Sequence, residues 1–324
     1  RMKALVYTGL QQMEYQTSYP EPKDEFLVRV LGCGICGTDL KTYLKGHAFF
    51  QPPCILGHEF YGEVVRTPEN TGYKPGDLVV VAPYYGCGKC DLCEKEAGSL
   101  CKNQSYVEYG AFCEYVGLSK NFLNKGVFHI SEPDDVYTLV EPLACVMNGV
   151  KHLNLFAHSH VLIVGGGPMG VLFALLLQAQ GVHLSVVEPA EKRRSLIQSW
   201  GISCYQPDEI NAADYDNVVI AVNRRELVEQ YIEKVADAGT VLLFGGLKKE
   251  ETLTISSHAI HYRQVRLAGS YGFDLVHFRE ALSMIEAHKD EFRKLITNKM
   301  PLEKGQEAFE MLQRAEALKI VLKP

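Results

Sequence analysis

The sequence predicts an α/β protein in two parts, one β-rich and one a doubly wound parallel sheet. Three observations lead there. From Lys3 to about Val81, short apolar runs alternate with Gly, Pro and Asp punctuation. From Tyr137 onward, strand-length and helix-length apolar patterns alternate, as parallel strands joined by helical crossovers require. The 324 residues, 47% of them hydrophobic, suit about two domains with two cores.

In the first part the strand-like segments are Ala4 to Tyr7, Phe26 to Gly32, Gly62 to Arg66, Leu78 to Ala82 and Ala111 to Leu118. Residues 84 to 105 break the pattern, with four cysteines and hardly any aliphatic run, which suits a lobe held by metal instead of a core. In the second part Leu143 to Leu153, Met169 to Gln180 and Lys192 to Trp200 read as helices. Val161 to Val164, Leu184 to Val187, Val218 to Val222 and Val241 to Phe244 read as strands. Between Glu188 and Val218 the chain is short: Trp200 to Tyr205 leads through Asp208 to Asp216 with little room for a full crossover helix, so the sheet should be trimmed on that side. The tail from Leu275 to Leu312 reads as helical by periodicity, followed by a strand at Ile320 to Leu322.

Charge and patterning exclude several classes. A net charge of -6 gives no electrostatic reason to expect nucleic acid or an anionic membrane as partner. The longest uninterrupted apolar stretch, Val171 to Leu177, is far too short to span a bilayer. The start runs straight into an alternating pattern with no apolar signal core, so a cytoplasmic, reducing location is the expectation. In such a compartment ten cysteines point to metal ligands or buried thiols, and their spacing becomes the thing to read.

Four constellations carry chemistry. Val161-Leu-Ile-Val-Gly165-Gly-Gly167-Pro168-Met169-Gly170 delivers a strand through a GxGxxG turn into an apolar helix. Gly165 permits the tight turn, Gly167 lets a pyrophosphate approach the backbone and Gly170 allows close packing. The next strand ends at Glu188, whose carboxylate can accept bonds from adenosine ribose hydroxyls and would repel a 2'-phosphate. NAD is therefore favoured over NADP, although Arg193 and Arg194 keep NADP open; Ala221 and Gly245, after the following strands, complete the expected cofactor contacts. Second, Cys87, Cys90, Cys93 and Cys101 can wrap a tetrahedral zinc with no open position, a structural site. Iron–sulfur ligation is the competing reading, but Lys102 stands where ferredoxin runs place proline.

The third is Gly34-Ile35-Cys36-Gly37-Thr38-Asp39 with Gly57-His58-Glu59 downstream. Cysteine, histidine and carboxylate form the ligand set of a catalytic zinc that keeps one position for water or substrate. Cys33 and Cys54 read as packing residues, as do Cys113, Cys145 and Cys204. The fourth is Glu141-Pro142-Leu143-Ala144 at a helix start, where a carboxylate is favoured by the helix dipole alone and function weighs equally.

With these motifs in hand, the chain resembles the zinc-dependent medium-chain alcohol dehydrogenases, most closely the sorbitol and polyol dehydrogenase branch, which also holds threonine dehydrogenases. The matching stretches are GICGTD at 34–39, GHExxGxV at 57–64, GDxVVVxP at 76–83, the four-cysteine lobe, EPLA at 141–144, the glycine turn, GSYG at 269–272 and KIVLKP at 319–324. The resemblance implies a GroES-like β-rich catalytic domain, residues 1–145 and 272–324, split around a Rossmann NAD-binding domain, residues 146–271. It implies two zinc ions per chain, NAD, a small hydroxylated substrate and a homo-oligomer, dimer or tetramer.

Carried over, Cys36 and His58 are catalytic zinc ligands, and Glu59 or Glu141 is the further ligand, directly or through water. Asp39 is the carboxylate that orients the histidine, and Thr38 the hydroxyl that meets the substrate oxygen. Lys41 stands where many relatives place a proton-relaying histidine. The expected reaction is hydride transfer from a secondary alcohol, a polyol, sugar or sugar-derived compound, to NAD. Tyr43, Phe49, Glu108 and Tyr109 are weaker candidates for contacts to a hydroxylated substrate. Threonine or simple alcohol oxidation is the alternative within the class. A non-catalytic NAD- or zinc-binding module is the alternative outside it, disfavoured because such a module needs no hydroxyl beside an open metal site. A nucleic-acid-binding zinc ribbon is disfavoured by the acidic balance.

Overall fold

The computed structural model describes residues 1–120 and 122–324. Contacts divide it into two units, Arg1–Ala144 with Phe273–Pro324, and Cys145–Gly272.

The first unit is built on a seven-stranded sheet. Its order is Val127–His129, Leu78–Val81, Glu59–Arg66, Phe26–Gly34, Lys319–Lys323 and Ile296–Pro301, with Tyr115–Leu118 also paired to Phe26–Gly34. A smaller sheet joins Gln12–Tyr19, Met2–Gly9 and Cys54–Ile55. Phe26–Gly34 is apolar on both faces, with Phe26, Leu27, Val28 and Val30 all buried, as a strand at the centre of a core must be. Its two halves take different partners on one side: Phe26 to Arg29 pair with Tyr115–Leu118, whereas Cys33 and Gly34 pair with Leu322 and Val321. On the other side Gly34 pairs with Glu59. The C-terminal strand thereby lies one strand away from the GHE segment, far apart in sequence.

Three expectations are corrected here. The tail is not helical throughout: helices Leu275–Ala287 and Lys289–Arg293 are followed by the strand Ile296–Pro301, and only then by helix Gly305–Gln313. The strand Gln12–Tyr19 was not expected at all; its mostly polar sequence hides the pairing it makes with Met2–Gly9. Tyr43 is no substrate contact, because it is fully buried, packs tilted against Phe309 with ring centroids 5.0 Å apart, and its hydroxyl accepts a bond from Gln306 Nε2 at 3.1 Å.

The second unit is a six-stranded, all-parallel sheet in the order Cys204–Tyr205, His183–Val187, His160–Val164, Asn217–Ile220, Thr240–Leu243 and Arg266–Gly269. The order reverses beside His160–Val164, the switch point where open α/β sheets form a ligand crevice. The following helix Pro168–Ala179 buries Gly170 through Leu177 without a break, so it is apolar all round because it is covered all round. Between Cys204–Tyr205 and Asn217–Ile220 the chain makes only two single turns, Pro207–Glu209 and Ala212–Asp214. The edge strand on that side has two residues, which is the trimming that the short spacing implied. Among the described residues no helix is long and apolar enough to cross a membrane.

Candidate metal centres and nucleotide cradle

Cys36 sits where the strand Phe26–Gly34 turns into the helix Gly37–Lys45 and serves as its N-cap. The thiol accepts from the Asp39 N–H at 3.4 Å, while Asp39 Oδ2 accepts from the Cys36 N–H at 3.0 Å. This is a capping box with sulfur in place of hydroxyl. The helix therefore aims its positive end at the sulfur, which favours a thiolate. His58 enters from the segment just before the adjacent strand Glu59–Arg66, placed by Gly57, whose φ of +100° and close contact with Phe112 leave no room for a Cβ. His58 Nε2 lies 3.2 Å from Cys36 Sγ and 3.6 Å from Glu141 Oε2. Donor atoms of Cys36, His58 and Glu59 all lie within 4.8 Å of one another.

Asp39 does less for the histidine than the resemblance implies. Its Oδ1 is 3.9 Å from His58 Nδ1, beyond hydrogen-bond range, and its firm bonds are those of the helix cap. Glu59 is buried, with one oxygen accepting from Lys319 Nζ at 2.7 Å. Gly34 makes this possible, because a Cβ there would stand 2.5 Å from Glu59 Oε2. Lys319 also donates to Ile35 O at 3.0 Å, tying the C-terminal strand to the turn that carries Cys36. Sequence reasoning matched KIVLKP as a motif but gave Lys319 no role. The signal was a lysine opening the buried apolar run Ile320 to Leu322.

Thr38 and Lys41 lie on the exposed face of the same helix, and Thr38 O accepts from Thr42 Oγ1 at 2.8 Å. Phe49 and Tyr109 are exposed.

The electrostatics of the donor set favour a cation. Burial, reinforced by Asp39, pushes the bare Cys36 thiol up to about 11. For Lys319, burial works against the charge, and Glu59 and Cys36 outweigh it and hold the amine above its usual range. A half-buried thiol and carboxylates crowded on one imidazole suit a divalent cation, which would compensate the anionic charge they bring.

The four-cysteine lobe springs from the strand pair Tyr84–Tyr85 and Ser105–Tyr106. Its thiols lie within 4.8 Å of one another, and all ten cysteines of the chain are free. Cys101 Sγ accepts from the N–H groups of Cys87 at 3.4 Å and Asn103 at 3.3 Å, as a thiolate ligand does. Burial pushes Cys93 up to about 12, whereas the Lys89 backbone N–H draws Cys87 down to about 6. Four thiols at this spacing fit one tetrahedral ion with no open position.

In the second unit Gly165 has φ of +110° and Gly170 packs so closely that a Cβ would stand 1.8 Å from Gly165 O. Gly167, the N-cap of Pro168–Ala179, has open space where its Cβ would be, and no side chain caps that helix. Pro168 and Met169 open it. An uncapped helix start beside open space is a cradle for phosphate. Glu188 Oε1 accepts from the Gly166 N–H at 3.1 Å and Oε2 from the Ala190 N–H at 2.8 Å; Arg193 Nη1 is 3.5 Å away. Arg194 bonds Glu188 O and Pro189 O instead. Ala221 and Gly245 stand just past the ends of neighbouring strands, held by bonds to Val164 O and Ile220 O.

With this geometry established, comparison with known proteins gives a family. Residues 22–127 match the alcohol dehydrogenase GroES-like domain and residues 134–323 the glucose dehydrogenase C-terminus. The chain is 31% identical over 294 residues to D-altritol 5-dehydrogenase of Agrobacterium fabrum, covering 87% of this chain and 86% of that protein. Among solved structures it superposes on 2R,3R-butanediol dehydrogenase from Bacillus subtilis with a TM-score of 0.88 at 25% identity, covering 100% of both chains. A Sinorhizobium meliloti structure described as a zinc-binding dehydrogenase bound to NADP gives a TM-score of 0.87 at 28% identity, covering 100% of this chain and 99% of that one. The GroES-like and nucleotide-type sheets, the Cys36, His58 and Glu59 cluster and these matches agree, and the chain belongs to the zinc-dependent medium-chain alcohol dehydrogenases.

Proposed function

We propose that the chain oxidises a secondary alcohol of a polyol, sugar or sugar-derived hydroxy compound and passes hydride to NAD, with one catalytic and one structural zinc per chain. The observation that carries the catalytic reading is the convergence of Cys36, His58 and Glu59 within 4.8 Å, beside Glu141, with Cys36 capping the helix that bears Thr38. A structural thiol cluster closes its site with four sulfurs, whereas mixed donors leave a position for substrate. The polyol class is supported by the D-altritol relative and by D-arabinitol dehydrogenase 1 of Uromyces fabae, 29% identical.

Cys36, His58 and one carboxylate would hold the catalytic zinc, which would supply Lewis-acid polarisation of the substrate hydroxyl. Lys319 occupies one oxygen of Glu59 and leaves the other for the metal; Glu141, 3.6 Å from His58 Nε2, is the second carboxylate in reach. Thr38 takes up the proton of the substrate hydroxyl while giving its own to the cofactor ribose or solvent water, and Lys41, one turn along the exposed helix face, would join that relay only as the neutral amine. Gly165, Gly167 and the start of Pro168–Ala179 receive the cofactor pyrophosphate. Glu188, already oriented by two backbone N–H groups, meets the ribose hydroxyls.

The test is a panel of polyols, aldoses, sugar acids, simple secondary alcohols and threonine, followed by NADH absorbance with NAD and NADP in parallel. Turnover is expected with polyols and NAD. Turnover of threonine or simple alcohols alone would reassign the substrate, and no turnover of any alcohol by zinc-loaded protein would remove the enzyme reading.

A further inference from the structure

The four-cysteine lobe touches the point where the chain returns from the second unit to the first. Gly86 lies between the Cys93 thiol and Gly98: a Cβ on Gly86 would stand 2.6 Å from Cys93 Sγ and 3.0 Å from Gly98 Cα. Gly98 in turn meets Asp274, and a Cβ there would stand 1.9 Å from Asp274 Oδ1. Two glycines are needed because three backbone and side-chain layers are pressed together. Gln104 braces the same turn, donating to Gly98 O at 2.9 Å and Ser99 O at 2.8 Å.

The root of the lobe makes a second hold. Tyr84 stacks on Phe273 at 4.6 Å, and its hydroxyl accepts from the Phe273 N–H at 3.0 Å. Phe273 is fully buried, and Asp274 is the N-cap of Leu275–Ala287 in a reciprocal box with His277. Just upstream, within the second unit, Asn148 Nδ2 donates to Tyr271 O and Gly272 O. The return segment is therefore gripped on both sides of the boundary at Gly272, and the lobe supplies the grip on the downstream side.

We propose that the four-cysteine lobe is the mount of this return segment: the metal held by Cys87, Cys90, Cys93 and Cys101 keeps Gly86 against Gly98, and Gly98 with Tyr84 seats Phe273 and Asp274. Losing the lobe metal loosens residues 273–277 while the sheet cores stay closed. The inference rests on the lobe holding zinc, and metal content measured on the same samples separates failure of that reading from failure of the coupling.

The experiment is amide hydrogen exchange by mass spectrometry on the full chain as purified, on Cys93→Ser and on Cys36→Ser, with zinc counted in each. In Cys93→Ser, peptides spanning 86–104 and 271–279 should exchange about tenfold faster or more, while 59–66 and 160–164 keep their protection. Cys36→Ser, which leaves the lobe intact, should leave 271–279 unchanged. Gly98→Ala, which alters no thiol, should loosen 271–279 with the lobe zinc retained; if Cys93→Ser fails to fold, this variant carries the test. An exposed, metal-free lobe with 271–279 still protected overturns the proposal. So does faster exchange across both sheets, which would make the lobe a general brace, or a lobe purified without metal beside a protected 271–279.

Discussion

Lys319 Nζ lies 2.7 Å from Glu59 Oε2, and both side chains are almost wholly shielded from solvent, at 2% and 1% exposure. Two charges this deep persist only as a pair with further bonds, and Ile35 O supplies one for the lysine. Removing one partner leaves an uncompensated buried charge. Lys319→Met is therefore expected to cost about 3–5 kcal/mol in urea unfolding, and Lys319→Met with Glu59→Gln considerably less. A loss in the double variant equal to the sum of the losses in Lys319→Met and Glu59→Gln would show that the pair is not coupled.

Zinc content separates the two clusters. The protein should carry about two zinc per chain, falling to about one in Cys36→Ser and to about one in Cys87→Ser. Cys36→Ser should also lose turnover while keeping its fold by circular dichroism, because the lobe remains closed. A single zinc that survives Cys87→Ser unchanged would refute the two-site assignment.

Much of this site was legible because its parts are local. Cys36 to Asp39, the GHE triplet and the four-cysteine spacing are short runs whose chemistry depends on neighbours in sequence, as the capping box between Cys36 and Asp39 shows. What escaped depends on pairing between distant strands. Lys319 reaches Glu59 only because Gly34 pairs with Glu59 on one side and Val321 on the other. Ile296–Pro301 alternates half-buried and exposed positions, but polar Asn298 on its inner side breaks the apolar alternation, and its parallel partner Lys319–Lys323 lies beyond an intervening helix. The parallel sheet was easier to read, since strands such as His160–Val164, covered on both faces, are continuous apolar runs.

On the proposed reading, Glu188 would set the nucleotide preference through a carboxylate that the Gly166 and Ala190 N–H groups hold in place. Its removal takes away both the acceptor for ribose hydroxyls and the charge that opposes a 2'-phosphate, with Arg193 left at the same spot. Glu188→Ala should weaken NAD relative to NADP about tenfold or more, measured as the ratio of Kd values by nucleotide fluorescence. An unchanged ratio would take Glu188 out of the ribose site.

Asp135 joins the C-terminal strand to the rest of the first unit and should give that unit an acid-sensitive hold. It accepts from Tyr61 Oη at 2.6 Å, pairs with Lys299 Nζ at 3.0 Å and meets Lys323 Nζ as well. Burial alone would raise its pKa, but Lys323, Tyr61 and Lys299 together hold it below the usual carboxylate range. A group depressed in the folded state stabilises above its unfolded pKa of about 3.9, and that stability is lost as pH falls through the folded value. Stability should thus decline as pH drops below about 5, with a shallower decline in Asp135→Asn, which has no proton to take up. Asp135→Asn should also be less stable at pH 7, because Lys323 and Lys299 lose their counter-charge. Parallel pH–stability curves for the two proteins, from denaturant melts between pH 3 and 7 (about two units either side of 5), would show that the network contributes nothing to acid sensitivity.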